Sequence, residues 1–314
     1  MSELLVVTGS PHIHTRDTTE RAFWRVTAAL LPAFACALYA FGIGALIVTA
    51  LAATGCVVTE FIIARYLMGR QAPFVSTSAL LTGILLAFNL PSNLPAWIVL
   101  IGSAVAISIG KMAFGGLGCN IFNPALVGRV FLLLSFPQQM TSWPLPIVNR
   151  VRYADAVTGA TSLSETGEGA SRAIDWAGEL MGATGGSIGE ISAIALIIGG
   201  IYLILSKTIT WHIPVSILAA VAIMSLFIGS NPAVEILEGG LLLGAIFMAT
   251  DYVTSPMSHR GMIFYGIMIG AITVIIRHWG AYPEGVSFAI LLMNGATPLI
   301  NRYMKPKKTG ERRS

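Results

Sequence analysis

A short polar stretch in the middle of the chain, from Asp155 to Leu163, carries the residue types best suited to covalent chemistry. The hydroxyl of Thr161 can form a phosphoester, and Gly159 and Ala160 are small enough for a bulky group to approach the backbone. One hypothesis is therefore that Thr161 carries a phosphate-linked group such as a flavin phosphate. The alternative is an ordinary surface turn. Asp, Gly, Thr and Ser are common in turns, so the residues alone favour this alternative. Both interpretations stay open at this point.

The composition predicts a membrane protein. The chain is 55% hydrophobic and only 11% charged, and its mean hydropathy is +0.76. Soluble domains carry about 25% charged residues, so a soluble multidomain protein is disfavoured. The net charge of +4 does not indicate nucleic-acid binding, because Lys and Arg in a membrane protein mark the cytoplasmic side. Lipid, and not nucleic acid, is the expected surrounding.

Cysteine usage predicts neither a disulfide framework nor a metal site. The three cysteines, Cys36, Cys56 and Cys119, are too few and too scattered for either pattern. Cys36 and Cys56 lie in apolar runs and are expected to pack as small core residues. Cys119 cannot hold an iron–sulfur cluster alone, although it could supply one ligand if partner chains supplied the others.

Ten apolar runs predict an all-α polytopic membrane protein with about ten transmembrane helices. The runs are Phe23–Phe41, Gly44–Met68, Thr77–Leu90, Ala96–Phe114, Pro124–Phe136, Ile188–Leu205, Ile213–Ile228, Glu235–Val253, Gly261–Arg277 and Val286–Tyr303. The third run is short and suits a re-entrant or tilted helix. Pro124 is expected to begin a helix, where its missing N–H costs nothing.

The runs divide the chain into two membrane halves around a polar loop. The predicted parts are a cytoplasmic N-terminal segment (1–20), a first five-helix half (21–136), an extracytoplasmic loop (137–187), a second five-helix half (188–303) and a basic cytoplasmic tail (304–314). Residues 1–20 do not resemble a signal peptide. An even number of helices places both termini on the same side of the membrane.

The distribution of Lys and Arg orients this layout. With the N-terminus in the cytoplasm, 15 of the 19 Lys and Arg residues fall on the inner side. The four on the outer side are Arg150, Arg152, Arg172 and Arg277. The positive-inside rule therefore predicts cytoplasmic termini and an outward-facing polar loop.

Five helices on each side of the loop suggest two inverted five-helix repeats, an arrangement found in transporter folds. The stretch Leu80–Asn89 of the third run faintly resembles Leu241–Asp251 of the eighth run, and both lead into Pro- and Ser-containing breaks. The segment from Asn120 to Arg129 likewise resembles the segment from Asn294 to Arg302. Broken helices at matching places are where such folds build a central site.

Polar residues within the apolar runs are candidates for a pocket or a pathway, because an ionisable group in a bilayer is costly. They are Glu60, Lys111, Asn120, Asn123, Arg129, Asp251 and Asn294. Asn120 and Asn123, close to three glycines, could form a polar pocket for the edge of a heterocycle, or could tie broken helix ends together.

The charged residues in this set could also lie at the membrane interface without any functional role. Lys111 and Arg129 could extend to the inner interface. Asp251 and Glu60 are candidates for an ion path, or for interface carboxylates paired with Arg260 and Arg65 respectively.

From about Ser10 to Tyr303, the sequence resembles the family that provides the D subunits of Rnf complexes. The resemblance is carried by Thr158-Gly159-Ala160-Thr161-Ser162, by the segment Asn120 to Ala125 and by the ten-helix layout. The B subunit of the Na+-translocating NADH:quinone reductase is similar but has a longer N-terminal extension. The Rnf complex moves electrons between ferredoxin and NAD and couples this to Na+ or H+ transport, so the chain is expected to act as one part of an oxidoreductase and not alone.

The resemblance implies a covalent FMN on Thr161, surrounded by the candidate binding residues Asp155, Thr158, Gly159, Ala160 and Ser162. It also implies a second, non-covalent flavin, riboflavin, for which Asn120 and Asn123 are the candidates. Electrons would pass from this inner flavin to the FMN on the outer face.

The family further implies partners and a location. The expected partners are other Rnf subunits, one of them with its own covalent FMN, and a flavin transferase. The expected location is the bacterial inner membrane. No strand, Gly-rich turn and helix for a dinucleotide is recognisable, so NADH is expected to bind a partner subunit.

Two further Gly-Ala-Thr triplets lack the residue that corresponds to Thr158, which directly precedes Gly159, and they are predicted to stay unmodified. Met181 precedes the triplet ending at Thr184, and Asn294 precedes the triplet ending at Thr297. Two other functions remain open: a urea-channel-like transporter for a small solute, and a structural membrane subunit without a redox role. A flavin attachment motif would serve neither of them.

Overall fold

The computed structural model describes residues 18–69, 76–146, 153, 158–159, 186–280 and 284–305. Within these ranges the chain is predominantly helical. The helices are α1 (Thr19–Phe41), α2 (Ile43–Ile62), α3 (Thr77–Phe88), α4 (Ala96–Ser108), α5 (Pro124–Ser135), α6 (Pro137–Met140), α7 (Ala193–Leu205), α8 (His212–Ile228), α9 (Pro232–Leu237), α10 (Leu241–Leu243), α11 (His259–Trp279) and α12 (Val286–Tyr303). π-helical turns extend α2 (Ile63–Leu67) and α10 (Gly244–Met248), and a 3₁₀ turn (Met112–Phe114) follows α4.

The described helices confirm the membrane class. Four of them are long and apolar enough to cross a bilayer: α1, α2 with its π-helical turn, α4 with the 3₁₀ turn, and α11. Shorter apolar helices, α3, α5, α7 and α8, accompany them. The chain is therefore a mostly helical, multi-pass membrane protein, while the full number of ten spans and the inverted repeat stay predictions.

Two of the apolar runs contain broken helices. The third run forms only the short α3, which ends at Phe88 before Pro91 and Pro95, as its length predicts. The eighth run, predicted as one helix over Glu235–Val253, is instead split between α9 and α10. That prediction was wrong because Gly239 and Gly240 have φ values of +64° and +67°, a left-handed conformation that a right-handed helix cannot contain.

Asparagine–proline pairs start the helices that follow two of the loops. The Oδ1 of Asn123 accepts the N–H of Ala125 at 3.0 Å, and Pro124 occupies the first turn of α5. Asn231 caps α9 in the same way, with Pro232 after it. The side-chain acceptor satisfies a free N–H, and proline has none to satisfy, so both helices begin sharply. The helix start expected at Pro124 is confirmed.

Glycines let the helices approach closely. A methyl group added at Gly83 would lie 2.6 Å from the Cα of Ala53, and one at Gly199 would overlap the carbonyl oxygen of Ala29. A methyl group at Gly270 would lie 2.7 Å from the Cβ of Ala220. These contacts hold α3 against α2, α7 against α1, and α11 against α8. Small residues at helix interfaces are the usual device for close packing in lipid.

The polar loop is described at a few positions. Its strand β1 (Trp143–Pro144) pairs antiparallel with β2 (Thr158–Gly159), in the register Trp143 to Gly159 and Pro144 to Thr158. Asp155, Ala160, Thr161, Ser162 and the triplet at 182–184 lie outside the described residues.

The end of the loop returns to the broken end of α3. The N–H of Ile188 donates to the carbonyl of Leu90 at 3.1 Å, and the N–H of Gly189 donates to the carbonyl of Phe88 at 2.8 Å. Carbonyls at the end of a helix have no partner within it, and inside a membrane they must find one. The returning segment supplies that partner and so stabilises the break.

Candidate functional site

A cavity of about 430 Å³ lies among the beginnings of α1 and α3, the end of α7, and the segments before α5 and α11. Its volume is within the usual range for cofactor sites. Most of its lining is apolar. The lining includes the charged residues Arg25, Lys111, Lys207 and Asp251 and the amides Asn120 and Asn123. We call it the inner cavity, because the Lys and Arg distribution predicts that this end faces the cytoplasm.

Three glycines shape the wall between α4 and α5. Gly115, Gly116 and Gly118 have φ values of +113°, +100° and +85°, which favour glycine. The N–H of Gly116 donates back to the carbonyl of Lys111 at 3.2 Å. The resulting turns bring Lys111 and Asn120 to the lining of the same cavity.

Asn120 joins two walls of the inner cavity. Its Nδ2 donates to the carbonyl of Phe122 at 3.1 Å, and its amide also interacts with the carboxylate of Asp251. The amide N–H groups therefore have partners within the protein, and the carbonyl oxygen is the group left to accept from a ligand.

Asn123 has a structural role as well as lining the cavity. Besides capping α5 through Ala125, it donates from Nδ2 to the carbonyl of Met248 at 3.2 Å, at the end of the π-helical turn. With its amide in the orientation that satisfies both neighbours, Asn294 accepts the backbone N–H of Asn123 at 3.1 Å and donates to the hydroxyl of Tyr265 at 2.5 Å. These bonds tie helix ends together, the alternative considered from the sequence.

Asp251 follows the broken α10 and is held by local donors. Its Oδ2 accepts from the hydroxyl of Thr254 at 3.2 Å, and the backbone N–H groups of Tyr252 and Val253 also interact with the carboxylate. The pairing with Arg260 suggested by the sequence is not formed. Asp251 is partly buried, and its carboxylate lines the inner cavity between these neutral donors.

Lys111 and Glu60 form an ion pair in the cavity wall. The Nζ of Lys111 lies 2.5 Å from the Oε2 of Glu60 and 2.7 Å from the Oγ of Ser78. Lys111 is only 2% exposed, so of the two alternatives the buried position applies and not the extension to the interface. Glu60 pairs with Lys111 and not with Arg65, because α2 and α4 pack side by side. Sequence reasoning missed Ser78, whose position in the first turn of α3 is a weak signal.

Arg129 lies at the centre of a second polar cluster, away from the inner cavity. Its Nη1 donates to the Oδ1 of Asn89 at 2.7 Å and to the Oγ of Ser287 at 2.9 Å, and its Nη2 pairs with Glu284. Glu190 adds a nearby carboxylate. Arg129 is 3% exposed, so the alternative in which it extends to the inner interface does not apply to it either.

Glu235 belongs to a third cluster. Its Oε2 pairs with Arg277 at 2.8 Å, its Oε1 lies 3.0 Å from His278, and it is 6% exposed. Its position at the start of the eighth run suggested the outer surface, but the structure buries it between these cations. Arg277 also donates to the carbonyls of Glu238 and Gly239, immediately before α10. Glu235 therefore helps to fix the end of α11 against the segment before α10.

The proposed attachment segment is described only in part. The backbone of Thr158 and Gly159 is fixed by its pairing with β1, whereas Thr161 lies outside the described residues. Within the described ranges no group of three or more His, Cys, Asp or Glu residues could hold a metal ion. Cys36, Cys56 and Cys119 are free thiols.

Comparison with known sequences relates almost the whole chain to one family. A sequence profile described as the NQR2, RnfD, RnfE family matches residues 6–310. The chain is 47% identical over 316 residues to the D subunit of the Na+-translocating ferredoxin:NAD+ oxidoreductase complex of Acetobacterium woodii, covering 99% of this chain and 97% of that one.

Two other relatives are similar along nearly their full length. The D subunit of the proton-translocating ferredoxin:NAD+ oxidoreductase complex of Clostridium ljungdahlii is 41% identical over 328 residues, covering 99% of this chain and 97% of the relative. The D subunit of the ion-translocating oxidoreductase complex of Stutzerimonas stutzeri is 39% identical over 330 residues, covering 94% and 93% respectively.

Proposed function

Because the chain belongs to the NQR2, RnfD, RnfE family, we propose that it is the D subunit of an ion-translocating ferredoxin:NAD oxidoreductase complex. The observation that carries this proposal is the similarity to such subunits over nearly the full chain. Its role is to relay electrons between flavins within a redox-driven pump, in concert with the other subunits. One relative is named for Na+ and another for protons, so the family is compatible with either ion.

The first flavin of the proposal is an FMN attached through a phosphoester to Thr161. The pattern Thr158-Gly159-Ala160-Thr161-Ser162 supports it. The pairing of Thr158–Gly159 with β1 also supports it, because the residue to be modified then follows directly on an anchored strand. A flavin transferase would make the bond, and a partner subunit with its own covalent FMN would exchange electrons there.

The second flavin of the proposal is non-covalent and occupies the inner cavity. The residues present fit it: the volume suits a cofactor, the lining is mainly apolar like the faces of the ring, and the Asn120 carbonyl can accept a ring N–H. When bound, the flavin supplies one- and two-electron redox chemistry. The chain holds it, keeps water from the apolar lining and places Lys111 and Asp251 beside it.

The proposed topology places both termini in the cytoplasm and the loop of residues 137–187 outside the bacterial inner membrane. The inverted repeat is supported by a pair of similar contacts. Lys111, just after α4, donates to Ser78 in the first turn of the broken α3. Arg277, near the end of α11, donates to carbonyls just before the broken α10. In both halves a cation from the fourth helix thus holds the start of the broken third one.

Ion transport tests the function as a whole. In inverted vesicles, membranes that lack this chain are expected to lose both NAD-linked ferredoxin oxidation and ion uptake, and the wild-type chain should restore both. Asp251→Asn is expected to restore electron transfer but less than about a tenth of the ion uptake, because the cavity loses the carboxylate that would bind the ion. Ion uptake per electron is the measurement.

The matched control for this variant is Glu20→Gln, which removes a carboxylate at an exposed position in the first turn of α1. It should keep wild-type uptake per electron. Equal uncoupling by both substitutions would remove Asp251 from the ion path. Electron transfer that persists without the chain would refute the proposed function.

Asn120→Leu tests the second flavin. Loss of the amide should weaken flavin binding about fivefold to a hundredfold, the equivalent of about 1–3 kcal/mol for a lost buried hydrogen bond. Flavin released by gentle denaturation of the purified complex and quantified by chromatography is the measurement. Asn93→Leu is the control, since Asn93 contacts Ser142 and does not line the cavity. Unchanged release from Asn120→Leu would place the flavin elsewhere.

A further inference from the structure

Lys111 lies between a carboxylate and the inner cavity. Its Nζ contacts Glu60 on α2 and Ser78 on α3, and the same residue lines the cavity. An ammonium group has three donors, and these two contacts use two of them. Among the described residues Nζ has no third acceptor, so the remaining donor is available to a molecule in the cavity.

Because Lys111 is buried, its electrostatic interaction with a molecule in the cavity is screened less than that of the other cations in the lining. Lys111 is 2% exposed, whereas Arg25 is partly exposed and Lys207 is exposed, so water screens the latter two. The side chain of Glu60 is 14% exposed. An unpaired buried charge is costly, so Glu60 needs a positive partner whenever Lys111 turns away from it.

We propose that Lys111 is shared between Glu60 and the redox-active occupant of the inner cavity, and that this sharing couples reduction to cation uptake. An electron from an iron–sulfur or flavin carrier of a partner subunit adds one negative charge to the occupant. Lys111 then turns towards the occupant, and one monovalent cation from the inner side takes its place at Glu60. Loss of the electron to the next carrier reverses both changes and releases the cation, so charge balances without any covalent bond changing.

The inference rests on the proposed second flavin and is tested by its midpoint potential, not by activity. The non-covalent flavin is first quantified in the purified complex. Its potential is then titrated optically against Na+ concentration at constant pH, and against pH without Na+. Other titratable or charged groups near the pair are Cys56, Arg25, Lys207 and Asp251. Comparison of wild type with Glu60→Gln separates Glu60 from them.

In the wild type the potential is expected to rise with the concentration of one of the two cations, because a cation at Glu60 frees Lys111 for the reduced occupant. Lys111→Met should lower the potential by about 59 mV or more, a tenfold loss in preference for the reduced form in a one-electron step. It should also abolish the cation dependence. Glu60→Gln should raise the potential and abolish the same dependence.

Lys207→Met is the matched control, because it removes a cation of the same cavity that has no contact with Glu60. It should shift the potential by less than about 59 mV and keep the cation dependence. Equal shifts in Lys111→Met and Lys207→Met would overturn the inference, as would cation dependence that persists in Glu60→Gln, or none in the wild type.

Two further results complete the test. If a single variant fails to assemble, Lys111→Met/Glu60→Gln removes the pair together, which is often tolerated, and it must also lack cation dependence. Absence of non-covalent flavin from the wild-type complex would refute the second-flavin site and this inference with it. Normal flavin content with unaltered potentials would refute the role of Lys111 alone.

Discussion

Thr161→Ala is expected to abolish the covalent flavin of this protein completely. The threonine hydroxyl supplies the oxygen of the proposed phosphoester, and alanine offers no atom in its place. After denaturing electrophoresis, the wild-type band made together with a flavin transferase should fluoresce under ultraviolet light, and the variant band should be at background. NAD-linked electron transfer should fall with it, because the connection to the flavin of the neighbouring Rnf subunit is lost.

Two threonines serve as controls for this experiment. Thr297 follows Gly-Ala but is 6% exposed, and its hydroxyl donates to the carbonyls of Thr254 and Met293 at 2.9 and 3.0 Å. That hydroxyl is engaged within the protein and inaccessible to a transferase. Thr184→Ala removes the hydroxyl of the other triplet, which lies in the same loop as Thr161. The control variants Thr297→Ala and Thr184→Ala should both keep the fluorescence.

Mass spectrometry tests independently whether FMN is attached at Thr161. The tryptic peptide that contains Thr161 should carry the added mass of FMN in cells that can flavinylate. Only the unmodified mass from such cells would refute the covalent flavin, and the solute-conduit interpretation would then gain weight. Fluorescence that survives in Thr161→Ala would place the attachment at another residue.

Arg129→Met is expected to cause the largest loss of stability among the single substitutions considered. The change leaves Glu284 and the nearby Glu190 without their buried guanidinium, and deprives Asn89 of its donor. Breaking a buried ion pair on one side costs about 3–5 kcal/mol. The apparent melting temperature of the purified protein in detergent should therefore fall clearly. The prediction concerns folding, since Arg129 does not line the inner cavity.

The control is Arg302→Met, which removes an exposed guanidinium near the end of α12 and should change the melting temperature little. The double variant Arg129→Met/Glu284→Gln should recover part of the loss, because it removes the unpaired carboxylate as well. Equal melting temperatures for the two single variants would show that the buried cluster does not stabilise the fold.

The class of the fold and several helix ends were predictable because they depend on local features of the chain. Apolar content and run length predicted a helical membrane protein, and the Asn123-Pro124 pair predicted the start of α5. The short third run predicted a re-entrant or tilted helix, and α3 is correspondingly short. The break between α9 and α10 was missed, since glycine is common within membrane helices and its sign of φ is not evident from sequence.

The sequence predicted which residues belong to the candidate site, but not which partners they contact. Glu60, Lys111, Asn120, Asn123 and Asp251 all attracted attention as polar residues in apolar runs, and all of them lie in or directly behind the wall of the inner cavity. The partners expected for these residues were mostly wrong. Candidate partners were sought close by in the chain, whereas Lys111 and Glu60 are 51 residues apart.

The sequence by itself determined that this protein lies in a membrane and which residues are too polar for lipid, while the family resemblance singled out the threonine proposed to carry the flavin. Composition and short motifs suffice for these conclusions, because hydrophobicity and capping act over a few residues. Only the tertiary structure decided that Lys111 pairs with Glu60, that Arg129 is enclosed, and that Glu235 is not a surface carboxylate. The physical reason is that a buried charge must find its partner on whichever helix packs against its own, and glycine-mediated packing decides which helix that is.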